Sequence, residues 1–179
     1  LDHPHAPQRI KQVTPHAKFI ILLRNPITRA FSQHTRVKHN IRDSLTFRDA
    51  FLNESQRTKE DYKKIFSERF YYADSYFTYS YFERGIYVDK IKHWMEVFPK
   101  EQFLIIQSEE FFREPSKIYN QVLDFLGVEN FDLDQYEQFR KQDYSESKLL
   151  VDTRKKLVDY FKPHNQRLYE FLGRKFDWE

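Results

Sequence analysis

Two short, unbroken apolar runs constrain this chain more than anything else in it. Lys18 to Leu23 reads KFIILL, and Gln102 to Ser108 reads QFLIIQS. Runs of this length, rich in Ile and Leu and bounded by polar residues, predict strands buried on both faces of a parallel sheet. The long stretch between them is helical in pattern, which supplies the crossover a parallel pair needs. Lys18–Leu23 and Gln102–Ile106 are therefore expected in one parallel sheet covered by helices. The helix signals are explicit. Asn25-Pro26 is an N-cap followed by proline at the first helical position. Thr46 and Asp49 resemble a capping box ahead of Ala50 and Phe51. Val88, Ile91, Met95 and Phe98 recur at the spacing of one helical face. Pro115 opens a helix that Gly127 closes, and the tail from Asp152 is helical, with a break expected at Pro163 and an end at Gly173.

Two strands do not complete such a sheet. The chain is therefore read as one incomplete α/β domain over residues 1–179, the second half of a larger one. It is expected to expose a sheet edge or an apolar face where further strands pack. Composition narrows the function. The 179 residues suit one domain, and 18% aromatic content supports a packed core. A net charge of +3 is too small to imply a nucleic-acid partner. With no cysteine, disulfides and thiolate metal sites are excluded. No apolar run approaches the roughly 18 residues that span a bilayer. The three glycines do not form a GxxxxGK[ST] phosphate loop, which argues against a phosphotransferase of the P-loop class.

The chemistry is concentrated in LLRNPITRAFSQ, Leu22 to Gln33. A buried strand ends at Arg24 and a helix begins at once at Asn25-Pro26. The junction sets a guanidinium beside a helix N-terminus, and both favour an anion. Arg29 and Ser32 follow on the face of the helix start, so a phosphate dianion fits between the Arg24 fork and the Ser32 hydroxyl. On residue types alone other roles stay open: a surface ion pair for Arg24, a solvent-facing position for Ser32, a carboxylate partner for Arg29.

The strand–Arg–x–Pro–x–x–Arg–x–x–Ser pattern resembles the 3′-phosphate-binding motif of sulfotransferases that use 3′-phosphoadenosine 5′-phosphosulfate (PAPS), in bacterial, cytosolic and heparan-type members. The lead-in HPHAPQRIKQVTPHAKF, the stretch from Gly85 to Val128 and the ending LVDYFKPHNQRLYEFLGRKFDW are similar to the same family, so the resemblance covers nearly the whole chain. It implies a P-loop-NTPase-like parallel sheet flanked by helices, lacking its N-terminal strands. It implies that Arg24 and Ser32 bind the 3′-phosphate. A basic loop of relatives closes over that phosphate, and Phe139–Tyr144 stands in its place, which makes Arg140 and Lys141 phosphate candidates and Tyr144 a candidate for stacking on adenine. The glycine of that loop is absent here, and a solvated charge run is the competing role for Arg140 and Lys141. Ser108 stands where some relatives have a tyrosine near the adenine, and Glu109 is read as a structural acid that accepts backbone N–H bonds. Gly85 is read as serving backbone geometry.

The family's 5′-phosphosulfate loop and its catalytic base lie upstream of the 3′-phosphate motif, so no catalytic residue is assigned. The function implied is transfer of a sulfuryl group from PAPS to a hydroxyl or amine acceptor, leaving 3′,5′-ADP, with this chain supplying the 3′-phosphate side. A second segment or chain completes the domain in that reading. The alternative is a non-catalytic nucleotide-binding or interaction module of the same fold. The tail's similarity to bacterial members implies the cytoplasm, with the Golgi lumen as the other compartment the family occupies.

Overall fold

In the computed structural model of the chain, residues 1–41, 43–131, 133, 135–136 and 151–178 are described. Two strands form among them, β1 (Phe19–Leu23) and β2 (Phe103–Gln107), paired in parallel with Phe19 opposite Phe103 and Leu23 opposite Gln107. The helices, in chain order, are α1 (Ala6–Val13), α2 (Pro26–Ile41), α3 (Phe47–Ser67), α4 (Asp74–Tyr79), α5 (Tyr87–Met95), α6 (Ser108–Arg113), α7 (Pro115–Leu126) and α8 (Val151–Leu172). The expected parallel pair with a helical crossover is present.

Each boundary has a local cause. Thr46 Oγ1 accepts from the Asp49 N–H (3.1 Å) and donates to the Asp49 carboxylate (2.6 Å), which starts α3. Gly127 ends α7 at φ 77°, and Gly173 follows α8 at φ 66°. Lys18 Nζ donates to the last carbonyls of α7, Phe125 O (2.6 Å) and Leu126 O (3.0 Å), and so ties that helix end to the start of β1. Gln102 Nε2 donates to Pro15 O and Ala17 O and holds the two strand starts level.

Two expectations change. α8 runs through Pro163 without a break. Proline removes one ladder bond there, but Leu157 and Phe161 before it and Leu168 after it are fully buried, so packing on both sides fixes the helical path. The strands are also not buried on both faces. Ile21 and Leu23 face a core shared with Val88, Ile91 and Leu168. Ile20 and Leu22, on the opposite face of β1, are 38% and 51% exposed. α7 packs on β2.

A second core forms on α2. Ile27, Ala30 and Val37 meet Phe47, Tyr81, Phe82, Leu157 and Phe161. Gly85 sits at the contact between the layers. A Cβ there would lie 2.9 Å from the Phe161 ring and 3.0 Å from Pro26 Cβ. Its role is close approach, since Gly127 and Gly173 alone adopt positive φ among the described glycines.

Candidate functional site

The junction between β1 and α2 is held from several sides. Asn25 caps α2: its Oδ1 accepts from Ile27 N (2.9 Å) and Thr28 N (3.3 Å), and its carbonyl accepts from Arg29 N (2.9 Å). Its Nδ2 donates to Trp178 O (3.1 Å), which fastens the C-terminal tail to the helix start. The Asn25 N–H donates to Glu109 Oε1 (2.8 Å), and Trp178 Nε1 donates to the other oxygen of Glu109 (3.3 Å). Glu109 is thus the backbone-binding acid expected of it. Tyr87 Oη donates to Arg24 O (2.8 Å). Burial pushes the Tyr87 phenol up to about 12, so it is a permanent donor at neutral pH. The peptide between Arg24 and Asn25 is therefore clamped at both its C=O and its N–H.

This changes the expected source of anion affinity. The first amides of α2 are engaged by Asn25 and by Glu109. What the helix offers an anion is one side-chain face. Arg24 Nε donates to Thr28 Oγ1 (3.1 Å), which lays the guanidinium along the first turn. Ser32, half-buried, follows Thr28 by four residues, a spacing that puts Cβ atoms about 5–6 Å apart. At about 100° per residue, Thr28 and Ser32 point roughly half a turn away from Pro26, Ala30 and Val37, which enter the core. A cationic fork propped on Thr28 and the Ser32 hydroxyl on one half-open face fit a phosphate dianion.

Arg29 is not part of that face. Its Nη1 donates to Gln33 Oε1 (2.9 Å) and its Nη2 to Tyr81 O, and Gln33 Nε2 donates to Thr78 O (3.1 Å). Arg29 therefore ties α2 to the segment after α4; its described partners are an amide and a carbonyl, where a carboxylate had been one expectation. Arg140, Lys141 and Tyr144 lie outside the described residues. Thr28 and Trp178 were not singled out in the sequence. Only Thr28 carried a signal, its place four residues after Arg24 and four before Ser32.

Similarity to known proteins agrees with this frame. The profile of the sulfotransferase domain matches residues 3–166. The chain belongs to the sulfotransferase domain family. It is 25% identical over 197 aligned residues to human heparan sulfate glucosamine 3-O-sulfotransferase 3B1, covering 97% of this chain and 46% of that protein. It is 23% identical over 190 residues to the bifunctional heparan sulfate N-deacetylase/N-sulfotransferase 1 of Caenorhabditis elegans, covering 96% of this chain and 21% of that one. The crystal structure of a sulfotransferase from Alicyclobacillus acidocaldarius superposes with a TM-score of 0.75 at 28% identity, over 97% of this chain and 61% of that one. The chain spans about half the length of the 3-O-sulfotransferases it matches. Its fold is the family's α/β fold, and its junction motif stands at the end of a sheet strand. Among the described residues no helix is long and apolar enough to cross a membrane, and no cluster of His, Asp and Glu is arranged to hold a metal ion.

Proposed function

We propose that this chain carries the 3′-phosphate side of a PAPS site in a domain that transfers a sulfuryl group to a hydroxyl or amine acceptor. The observation that carries the reading is the Arg24 guanidinium, anchored at Nε on Thr28 and lying on the α2 face that continues to Ser32. Family membership supplies the reaction class. In that reaction the bond between sulfur and the 5′-phosphate oxygen breaks, a bond from the acceptor oxygen or nitrogen to sulfur forms, the acceptor loses its proton, and 3′,5′-ADP leaves. Arg24 and Ser32 act on the 3′-phosphate, away from the breaking bond. Their part is to fix the nucleotide so that its sulfuryl group meets the acceptor in line. Arg140, Lys141 and Tyr144 belong to the same proposal as further nucleotide contacts.

Relatives named for heparan sulfate glucosamine make a glucosaminyl oligosaccharide the first acceptor class to test. The experiment is transfer of labelled sulfate from PAPS to such an oligosaccharide by the full chain, beside titration with 3′,5′-ADP. Transfer supports the proposal. Binding of 3′,5′-ADP without transfer to any hydroxyl or amine acceptor, both by the chain and by a longer polypeptide that includes the completing segment, assigns the chain to the non-catalytic alternative. Absence of both sinks the site reading.

A further inference from the structure

Arg24 is clamped at the backbone, but a clamped backbone does not aim a long side chain. Arginine has several rotatable bonds, and its gain from a bidentate contact depends on how few rotamers it must give up. The side chain needs a second anchor near its head group, and the structure supplies one. Thr28 Oγ1 lies 3.1 Å from Arg24 Nε and 3.1 Å from Asn25 O. A threonine hydroxyl has one proton and two lone pairs. The carbonyl accepts only, so the proton goes to Asn25 O. A lone pair is thereby turned toward the guanidinium, which donates only. The hydroxyl cannot rotate to reverse these roles, and its bond to the carbonyl three residues back selects the threonine rotamer.

We infer that Thr28 is the positioning residue that aims Arg24 at the nucleotide's phosphate, an inference that rests on the reading of this face as a 3′-phosphate site. With Nε held by Thr28, the guanidinium plane is set and its outer Nη1/Nη2 edge is the edge that meets a phosphate. Fork contacts through that edge are the bidentate kind. Thr28 sits between Arg24 and Ser32 on the helix, so the edge it aims lies over the turn that carries the serine. Thr28 touches the nucleotide through Arg24 alone, and its effect appears in affinity for the 3′-phosphate and nowhere else.

The test measures affinity for 3′,5′-ADP and 5′-AMP by calorimetry on the full chain, in the wild type, Thr28→Val, Thr28→Ala, Thr28→Ser, Arg24→Ala and the Arg24→Ala/Thr28→Val double variant. Thr28→Val keeps the shape and removes both hydrogen bonds. It is expected to weaken 3′,5′-ADP by about 3- to 10-fold, the scale of one hydrogen bond. Affinity for 5′-AMP stays unchanged, Thr28→Ser regains most of the loss, and Thr28→Val has no further effect once Arg24 is alanine. Thr28→Ala deletes the same hydroxyl, so the reading does not depend on one variant folding. If Thr28→Val and Thr28→Ala bind 3′,5′-ADP like the wild type while Arg24→Ala does not, the positioning role falls and the phosphate site stands. A loss shared equally by both nucleotides, or added on top of Arg24→Ala, makes Thr28 a structural residue and overturns the inference. If the wild type binds both nucleotides equally, or neither, the phosphate reading itself fails and takes the inference with it.

Discussion

Arg24 and Ser32 contribute unequally to the proposed site. A hydrogen bond to a charged group adds roughly 1.5–3 kcal/mol net, so Arg24→Ala is expected to weaken 3′,5′-ADP by about 10- to 150-fold. Ser32→Ala removes a neutral hydroxyl and costs less. The control is 5′-AMP, whose binding changes in neither variant because it never had the contact. Equal losses for both nucleotides would make Arg24 a fold residue. These two positions were legible because an arginine at a strand end and a serine on the next helix face form a pattern along the chain. Glu54 was not legible. It lies mid-helix among polar residues, yet it is buried and accepts from Phe82 N (2.8 Å) and Glu83 N (2.7 Å). Burial outweighs those bonds and pushes its carboxyl from the ordinary 4.5 up to about 7. A raised folded value favours the protonated form, so Glu54's share of stability is whole below the unfolded value and is lost as pH rises through the folded one. The wild type minus Glu54→Gln difference in unfolding free energy is expected to shrink by about 2–3 kcal/mol from about pH 5 to about pH 8, followed by urea melts. A difference that stays level across that range shows the carboxylate ionised in both states.

At the scale of elements, the sequence was most legible where a residue's own backbone chemistry sets a boundary. Asn25-Pro26, Thr46, Pro115 and Gly127 each stand at the helix end they predicted. Pro163 was read by the same rule and misled, because packing of Leu157, Phe161 and Leu168 decides there and is not written in the local sequence. Pro163 itself is exposed, so Pro163→Ala loses little packing while restoring an N–H to the ladder of α8. The variant is expected to be more stable by about 1–3 kcal/mol in urea unfolding. A variant no more stable than the wild type shows that α8 already accommodates the ring without cost. Gly85 marks the same limit from the other side. Its sequence context suggests conformational freedom, but the reason for glycine is the Phe161 ring across the layer. Gly85→Ala forces that ring or Pro26 to move, and a loss of about 1–3 kcal/mol is expected by thermal or urea melts. A combined Gly85→Ala/Phe161→Leu variant that recovers part of the loss identifies the ring as the obstacle.

At the scale of the whole molecule, the sheet is what the apolar runs could only half describe. Their unbroken hydrophobicity predicted burial on both faces, and hydrophobicity says that a face needs cover without saying where the cover comes from. On one face, α5 and α8 bury Ile21 and Leu23. On the other, Ile20 and Leu22 stand exposed while Ile106 of β2 is buried. A two-stranded sheet is marginal without a packed face on each side, and adjacent exposed Ile and Leu on a strand favour association. The chain by itself is therefore expected to self-associate through β1, read by sedimentation velocity across a concentration series. Ile20→Thr with Leu22→Thr puts β-branched residues, which suit a strand, at both positions while removing apolar surface, and is expected to return the chain to a monomer. A monomeric wild type, or association that the two substitutions leave intact, removes β1 as the sticky face. The same pair also reports what the natural cover is. If further strands of the same domain extend the sheet beside β1 and the helices that connect them cover Ile20 and Leu22, as the proposed half-domain organisation requires, the substitutions destabilise a longer polypeptide that includes those elements by about 2–4 kcal/mol. In the chain by itself, where the two side chains are already wet, they cost almost nothing. The change in the size of the effect between the two polypeptides then separates an intramolecular sheet partner from association of one copy with another.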